Sequence, residues 1–328
     1  MVYRTIDNLG RTIEIPATAE EDHPYFERTD REAYVSYYQQ NGYVVVRGAI
    51  DLATCDAANE AFDKEIYPSR DFIYRQTTAR AERNAFTPAG FVINPILNVQ
   101  SVDPARYPTF RERGLKVLTA PGIQEICRNL LGEPGKIVQS MYFQGNPSTW
   151  PHQDTYYLDS SRLGSMTAAW IATEDIKAGA GRFFVCPGSH RTDMARNGGD
   201  FDIAFNHDRY KTLIKDVMLS HQMRIIAPAL RKGDVLFWNA ATIHGSLPTS
   251  EPESSRRSFT THWIPESTEL IQFQARIRRM NYEDVDGAKV ARPKDLAQLQ
   301  NRAILWLETR FPASFSLAKK IAIKLLLR

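Results

Sequence analysis

The chain has 328 residues, 43% of them hydrophobic and 24% charged, the balance of an ordinary soluble globular protein. Its 41 basic and 38 acidic residues leave a net charge of +3, too small for a global field that would gather nucleic acid. Cys55, Cys127 and Cys186 lie far apart with no paired spacing, which excludes a disulfide framework and fits a reducing cytoplasm.

In chain order, residues 1–28 read as a polar arm with a small hairpin around Asn8-Leu9-Gly10. Its first 16 residues have no apolar core, so no secretory signal is expected there. Thr29-Asp30-Arg31-Glu32 predicts a helix start with Asp30 as cap, and the helix runs to about Gln40. Val44–Arg47 predicts a strand, and Asp51–Ile66 a helix with Leu52, Cys55, Ala58, Ala61 and Phe62 on one face. Residues 113–131 predict one or two helices, broken at Pro121-Gly122, and from 137 to 265 strands dominate. A final helix is expected over Pro293–Arg310, with Leu296, Leu299, Ala303, Leu305 and Trp306 as its apolar side. No stretch approaches the roughly 20 apolar residues that span a bilayer. Helices followed by many strands predict a mainly β protein with flanking helices and a double-stranded β-helix (jelly roll, cupin-like) core. The expected organisation is one domain over 1–328. Residues 29–136 give helical support and a substrate loop, 137–265 the jelly-roll core, and 266–328 a C-terminal helical extension.

The chemistry is carried by His152-Gln153-Asp154, answered by His244 and then Arg256. Two imidazoles and a carboxylate form the facial triad of a mononuclear non-haem iron(II) site, which leaves one face of the metal open. In an extended strand His152 and Asp154 would share a face, with Gln153 opposite or along the rim. The third ligand would come from a distant strand, reached through Gly233-Asp234 and the apolar run Val235–Trp238. Downstream, Arg256, Ser258, Thr260 and His262 fall on one face of an alternating strand; Arg257, Phe259, Thr261 and Trp263 fall on the other. Arg256 beside Ser258 suits a carboxylate, since guanidinium binds it in a two-pronged fork. A bulge would exchange Arg256 for Arg257. Each motif alone is weak; order, spacing and strand context make them one site.

These motifs resemble the phytanoyl-CoA dioxygenase-like branch of the iron(II)/2-oxoglutarate oxygenases. Trp170 on the strand Met166–Ala172, the run Gly179-Ala180-Gly181-Arg182-Phe183-Phe184-Val185-Cys186, the ending Pro187-Gly188-Ser189-His190, and Asn41-Gly42-Tyr43 with its following strand all match. The similarity covers roughly 30–265. It implies His152, Asp154 and His244 as iron ligands. It implies Arg256, with Ser246, as the holder of the far carboxylate of 2-oxoglutarate, and Gln153 and Trp170 as residues of the same pocket. It also implies Fe(II), 2-oxoglutarate and O2, with ascorbate as an accessory reductant. The co-substrate would be decarboxylated to succinate and CO2 while hydrogen is abstracted from a small-molecule substrate. Relatives that halogenate carry Gly or Ala at the Asp154 position, so a carboxylate there favours hydroxylation, with desaturation, epimerisation or cyclisation as variants. A metal enzyme without 2-oxoglutarate and a non-catalytic jelly-roll binding protein are the competing readings. Natural-product metabolism is the expected setting.

Two connections are expected to face substrate. Residues 67–100 mix Arg70, Arg75, Arg80 and Arg83 with aromatics, and Arg191–Gln222 holds Asn197-Gly198-Gly199-Asp200 and a helix over Asp208–Leu219. The arginines suggest an anionic group beside an apolar part. His190 reads as structural, His262 as either co-substrate neighbour or core, and His23, His207 and His221 as surface residues. The basic, apolar run Ser316–Arg328 is expected to dock on its own domain or on a second subunit of a homodimer; an anionic membrane is the alternative.

Overall fold

Strand alternation sets the architecture. In Val235–Asn239, Val235 and Phe237 point to one side and Leu236 and Trp238 to the other; in Thr167–Ala172, Ala169 and Ile171 oppose Ala168, Trp170 and Ala172. The first side packs on helices and the second lines the barrel interior. The structure is a computed structural model and describes residues 2–22, 24–192, 194, 206–273 and 276–318.

The main sheet runs in the order Tyr282–Val285, Ala288–Ala291, Gly135–Phe143, Ser258–Pro265, Thr167–Ala172, Val235–Asn239, Tyr43–Val46, with Ile96–Leu97 paired to Gly135–Phe143. Among these strands the pairing of Ala288–Ala291 with Gly135–Phe143 is parallel and the others antiparallel; an isolated parallel bridge joins Phe26 to Val46. Smaller sheets face it. Phe183–Val185 pairs with His244–Ser246, and Leu158–Ser160, Leu270–Gln272 and Arg276–Ile277 form another. This is the expected jelly roll, with helices on one face of the main sheet.

Those helices are α1 (Arg31–Asn41), α2 (Leu52–Ala61), α3 (Pro108–Leu118) and α4 (Pro121–Leu131); α5 (His207–Ser220) and α6 (Leu299–Arg310) lie elsewhere. Tyr34, Ala58, Phe62, Phe110 and Ile126 from the first group meet Phe237, Phe259 and Trp263 of the sheet in one apolar core. Gly122 allows α4 to approach, because a Cβ there would collide with the Ala49 carbonyl oxygen.

Several expectations change in detail. Asp30 precedes α1, but its carboxylate accepts from Glu27 N instead of capping the helix. Asp51 caps α2 through Thr54 N, and α2 continues into a π-helical turn over Phe62–Ile66. Leu52 is exposed. The 113–131 region begins earlier, at Pro108, whose fixed φ suits a first helical turn. The arm at 1–28 is a hairpin, Val2–Ile6 with Thr12–Pro16, docked on the body through Asn8 Nδ2 to Ser246 O at 3.1 Å. The stretch after 265 carries strands and ends, among the described residues, in a helical run over 312–318 preceded by a longer helix. That helix starts at Leu299 rather than Pro293, and none of its residues is buried. His23, Asn197–Asp200 and residues 319–328 lie outside the described residues.

Candidate metal centre and co-substrate pocket

His152 and His244 exchange backbone hydrogen bonds, His152 N to His244 O at 3.0 Å and His244 N to His152 O at 2.9 Å, so the two imidazoles start from one bridge. Each ring is fixed by a backbone carbonyl. His152 Nδ1 lies 2.9 Å from Trp150 O, and His244 Nδ1 lies 2.9 Å from Thr242 O. Donation by Nδ1–H leaves the Nε2 lone pair of both rings for a metal. Asp154 is not in a strand; it opens a short 3-10 turn, Asp154–Tyr156, after an extended Gln153. Its Oδ1 is 3.5 Å from both His152 Nε2 and His244 Nε2. The three ligand atoms lie within 4.8 Å of one another.

Asp154 Oδ2 is held from behind by Trp238 Nε1 at 2.9 Å, with His262 Nε2 at 3.4 Å. Burial opposes ionisation of this carboxyl. The charges of His244 and His262 and the hydrogen bonds from His152 and His244 outweigh it and hold the pKa well below the usual range. Burial, followed by repulsion from His244, lowers the pKa of His152. An ionised carboxylate beside a neutral imidazole is the donor set that a divalent ion takes.

Arg256 comes off the turn before Ser258–Pro265 and is 2% exposed. Its Nη1 donates to Gly181 O at 3.0 Å, its Nε has no partner, and the guanidinium lies near the Phe143 and Trp170 rings. Burial alone pushes its pKa down to about 9. A buried guanidinium without a carboxylate is costly, and an incoming carboxylate would supply the missing charge. Arg257 points to the opposite face, where it pairs with Asp63 at 2.8 and 2.9 Å. The bulge in this strand falls between His262 and Trp263, downstream of both arginines.

A profile of the family described as phytanoyl-CoA dioxygenase matches residues 38–258, more than half of the chain. The chain belongs to the phytanoyl-CoA dioxygenase family. It is therefore an enzyme of the iron(II)- and 2-oxoglutarate-dependent class, with O2 as oxidant. Among curated relatives, phytanoyl-CoA dioxygenase domain-containing protein 1 of Danio rerio is 25% identical over 288 residues, 73% of this chain and 94% of that one. The 1-deoxypentalenic acid 11-beta-hydroxylase of Streptomyces exfoliatus is 23% identical, over 73% of this chain and 83% of its own. Among solved structures, the epimerase SnoN, in complex with Fe3+, alpha ketoglutarate and nogalamycin RO, superposes with a TM-score of 0.54. It is 18% identical, with 80% of this chain and 98% of that one covered, a likeness that shows the fold.

In this dioxygenase-family chain the metal cluster and Arg256 open into one cavity of about 380 Å³. His152, Asp154, His244, Arg256, Ser246 and Trp170 all line it. Ser246 Oγ donates to Asn146 Oδ1 at 2.9 Å and accepts from Thr149 N at 2.7 Å. Two expected pocket residues turn elsewhere. Gln153 sends its amide to Ala241 O at 2.6 Å, and its backbone is gripped by the Tyr210 hydroxyl of α5. Ser258 Oγ donates to Arg256 O at 3.2 Å. Both are buried, and neither lines the cavity.

The arginine-rich loop also departs from expectation. Arg75 is fully buried, with its guanidinium spent on Glu82 O, Asn94 O and Asn84 Oδ1. Arg70, Arg80 and Arg83 are exposed and do not line the cavity. Gln76, Thr77 and Ala79 of the same loop do. His207 is exposed, as expected, and also lines the cavity rim against Trp150, with ring centroids 5.2 Å apart. His190 sits on Gln39 O at 3.2 Å, the structural role read from its turn. His262 touches Asp154 and lines the cavity. Trp238, Tyr210 and Gly181 left no isolated sequence signal; only the matched Gly-Ala-Gly run marked Gly181.

Proposed function

We propose that this enzyme hydroxylates an unactivated C–H bond of a neutral, largely apolar small molecule, with release of succinate and CO2. The observation that carries this reading is the pairing, in one cavity, of Asp154 between two imidazoles with the unpaired buried guanidinium of Arg256. His152, Asp154 and His244 would hold iron(II). Arg256 and Ser246 would hold the far carboxylate of 2-oxoglutarate, with Trp170 as a wall. When bound, iron with its co-substrate supplies the oxidising power; the protein supplies orientation and a dry cavity. The intact carboxylate at Asp154 supports hydroxylation, because it fills the position a halide would need.

The substrate end is lined by Leu97, Met141, Phe143, Trp150, Tyr157 and Leu158, with the carboxamides of Gln76 and Gln139 and the hydroxyls of Thr77 and Thr149. Such a wall binds apolar or ring-bearing molecules and reads hydroxyl or carbonyl groups. This replaces the anionic part expected from the arginines. A role in natural-product metabolism is supported by the named activity of the 1-deoxypentalenic acid hydroxylase relative.

The test is an anaerobic titration of metal-free protein with iron(II) and then 2-oxoglutarate, followed by a succinate-release screen of neutral and carboxylated candidates. A weak visible charge-transfer band and succinate release coupled to a neutral apolar compound are expected. Release stimulated only by carboxylated compounds would sink the substrate reading. Iron binding without the band would sink the co-substrate reading.

A further inference from the structure

The N-terminal hairpin, Val2–Ile6 with Thr12–Pro16, lies ahead of the residues matched by the family profile, 38–258, yet it touches a residue of the co-substrate pocket. Its turn is locked from within. The buried Asp7 carboxylate accepts from Leu9 N at 2.8 Å and from Arg11 N at 2.9 Å, and it pairs with Arg11 Nε at 2.7 Å. A carboxylate closed onto its own turn in this way fixes the backbone. Leu9, Ile13 and Ile15 pack the hairpin into an apolar cluster with Phe184 and Leu247. Asn8 is thereby presented to the body of the protein. Its Nδ2 donates to Ser246 O at 3.1 Å, while its Oδ1 is buried without a partner. An unpaired buried oxygen is costly, so stability alone does not account for an asparagine at this position.

Asn8 meets the pocket where the fold is weakest. Phe183–Val185 and His244–Ser246 form a sheet of two strands, in which Phe183 opposes Ser246. Such a ribbon needs support from outside. At the metal end, Val185 is bridged to Ile226 and His244 to His152. At the other end, the hairpin gives support on both strands. Asn8 holds Ser246 O, and the buried Arg182 donates to Pro16 O and, at 2.9 Å, to Ala17 O. Thr149 also grips Ser246, through its N to Ser246 Oγ and its O to Ser246 N. The Ser246 hydroxyl donates to Asn146 Oδ1, and Asn146 Nδ2 lies against Gly181, the acceptor of Arg256 Nη1. A shift of Ser246 is therefore passed to the guanidinium through bonded neighbours.

We propose that the hairpin is part of the co-substrate site and that Asn8 is its positioning residue. Asn8 does not line the cavity. It acts through Ser246, fixing the hydroxyl and, by way of Asn146 and Gly181, the aim of Arg256 at the far carboxylate of 2-oxoglutarate. This rests on the proposed role of Arg256 and Ser246.

The experiment is an anaerobic 2-oxoglutarate titration of the iron(II)-loaded full chain, read by the visible charge-transfer band, with thermal melts of the same proteins. Wild type is compared with Asn8→Leu, Asn8→Ala, Tyr3→Phe and Arg256→Ala. Asn8→Leu keeps the volume and loses the donor. Tyr3→Phe removes a different bond of the hairpin to the body, Tyr3 hydroxyl to Ser250 Oγ at 2.8 Å, and serves as the control for general loosening. Both Asn8 variants are expected to weaken 2-oxoglutarate binding about fivefold, the scale of one neutral hydrogen bond, with iron(II) affinity unchanged. The melt of Asn8→Leu should match wild type, because loss of the hydrogen bond is offset by removal of the unpaired oxygen. In metal-free protein, hydrogen exchange at the Ser246 and Leu247 amides should quicken in both Asn8 variants. Wild-type affinity in the Asn8 variants, with weakened binding in Arg256→Ala, would overturn this proposal alone. So would a lowered melt with unchanged affinity, or equal weakening in Tyr3→Phe, since the hairpin would then act only by general docking. Undiminished binding in Arg256→Ala would overturn this proposal together with the reading of the pocket beneath it.

Discussion

Trp238 Nε1 donates to Asp154 Oδ2 at 2.9 Å, while the other oxygen of the same carboxylate faces His152 and His244. One indole thus divides the work of the two oxygens. Oδ1 is left for a metal and Oδ2 is occupied. Trp238→Phe leaves only His262 Nε2, at 3.4 Å, against Oδ2, so both carboxylate oxygens could be offered to a metal that Asp154 would hold, in competition with the co-substrate. Iron affinity is expected to stay within about threefold while 2-oxoglutarate binding weakens about tenfold, the scale of one lost hydrogen bond to a charged group. Anaerobic titration measures both. Unchanged 2-oxoglutarate binding would mean that the indole only packs.

Arg256 and Arg257 are adjacent in sequence and opposite in consequence. Arg256→Ala removes the one guanidinium that lines the cavity among the described residues and is expected to weaken 2-oxoglutarate binding by roughly 30- to 150-fold, about 2–3 kcal/mol. Arg257→Ala breaks a pair with the half-exposed Asp63, so it should leave co-substrate affinity unchanged and cost at most about 1 kcal/mol of stability. Equal effects of the two changes would contradict the assignment of faces.

Gly181 has φ +77° and gives its carbonyl to Arg256 Nη1. A Cβ would meet Asn146 Nδ2 and, at 2.7 Å, Leu247 O. Gly181→Ala is expected to destabilise by about 1–3 kcal/mol, through both strain and collision. It should also raise the KM for 2-oxoglutarate more than it lowers kcat, because it moves the acceptor that aims Arg256. Melts and steady-state kinetics separate the two effects.

Metal should stabilise the folded chain by mass action. Cobalt(II) at about 100 times its dissociation constant contributes about 2.7 kcal/mol, which for a chain of this length is a rise of about 4 °C in Tm. Asp154→Ala should lose most of that rise, and His152→Ala likewise. A full rise in either variant would place the ion elsewhere.

Much of this site was legible because its rules are local. The alternation over Arg256–Trp263 is fixed by strand geometry, so the separation of Arg256 and His262 from Phe259 and Trp263 could be read without coordinates. The His-x-Asp spacing worked for a partly different reason than expected. Only His152 and Gln153 are extended, and Asp154 is aimed by the turn it opens. The arginine loop misled, because its composition could not tell Arg75, which ties three loop segments together from the inside, from a residue that greets substrate.

The sequence by itself determined the ligand types, their order and the family; it favoured Arg256 over Arg257 by alternation but left open a bulge that would exchange them. Tertiary structure alone decided which partners lock the site residues. Gln153 and Tyr210 are 57 residues apart, and Asp154 and Trp238 are 84 apart. It also decided that α6 turns Glu308 inward and Trp306 outward, although hydrophobic periodicity predicts burial of the apolar side. The physical reason is the same in each case. Periodicity specifies which residues share a face, but what that face meets depends on chain closure and on where the remaining polar groups find their hydrogen bonds.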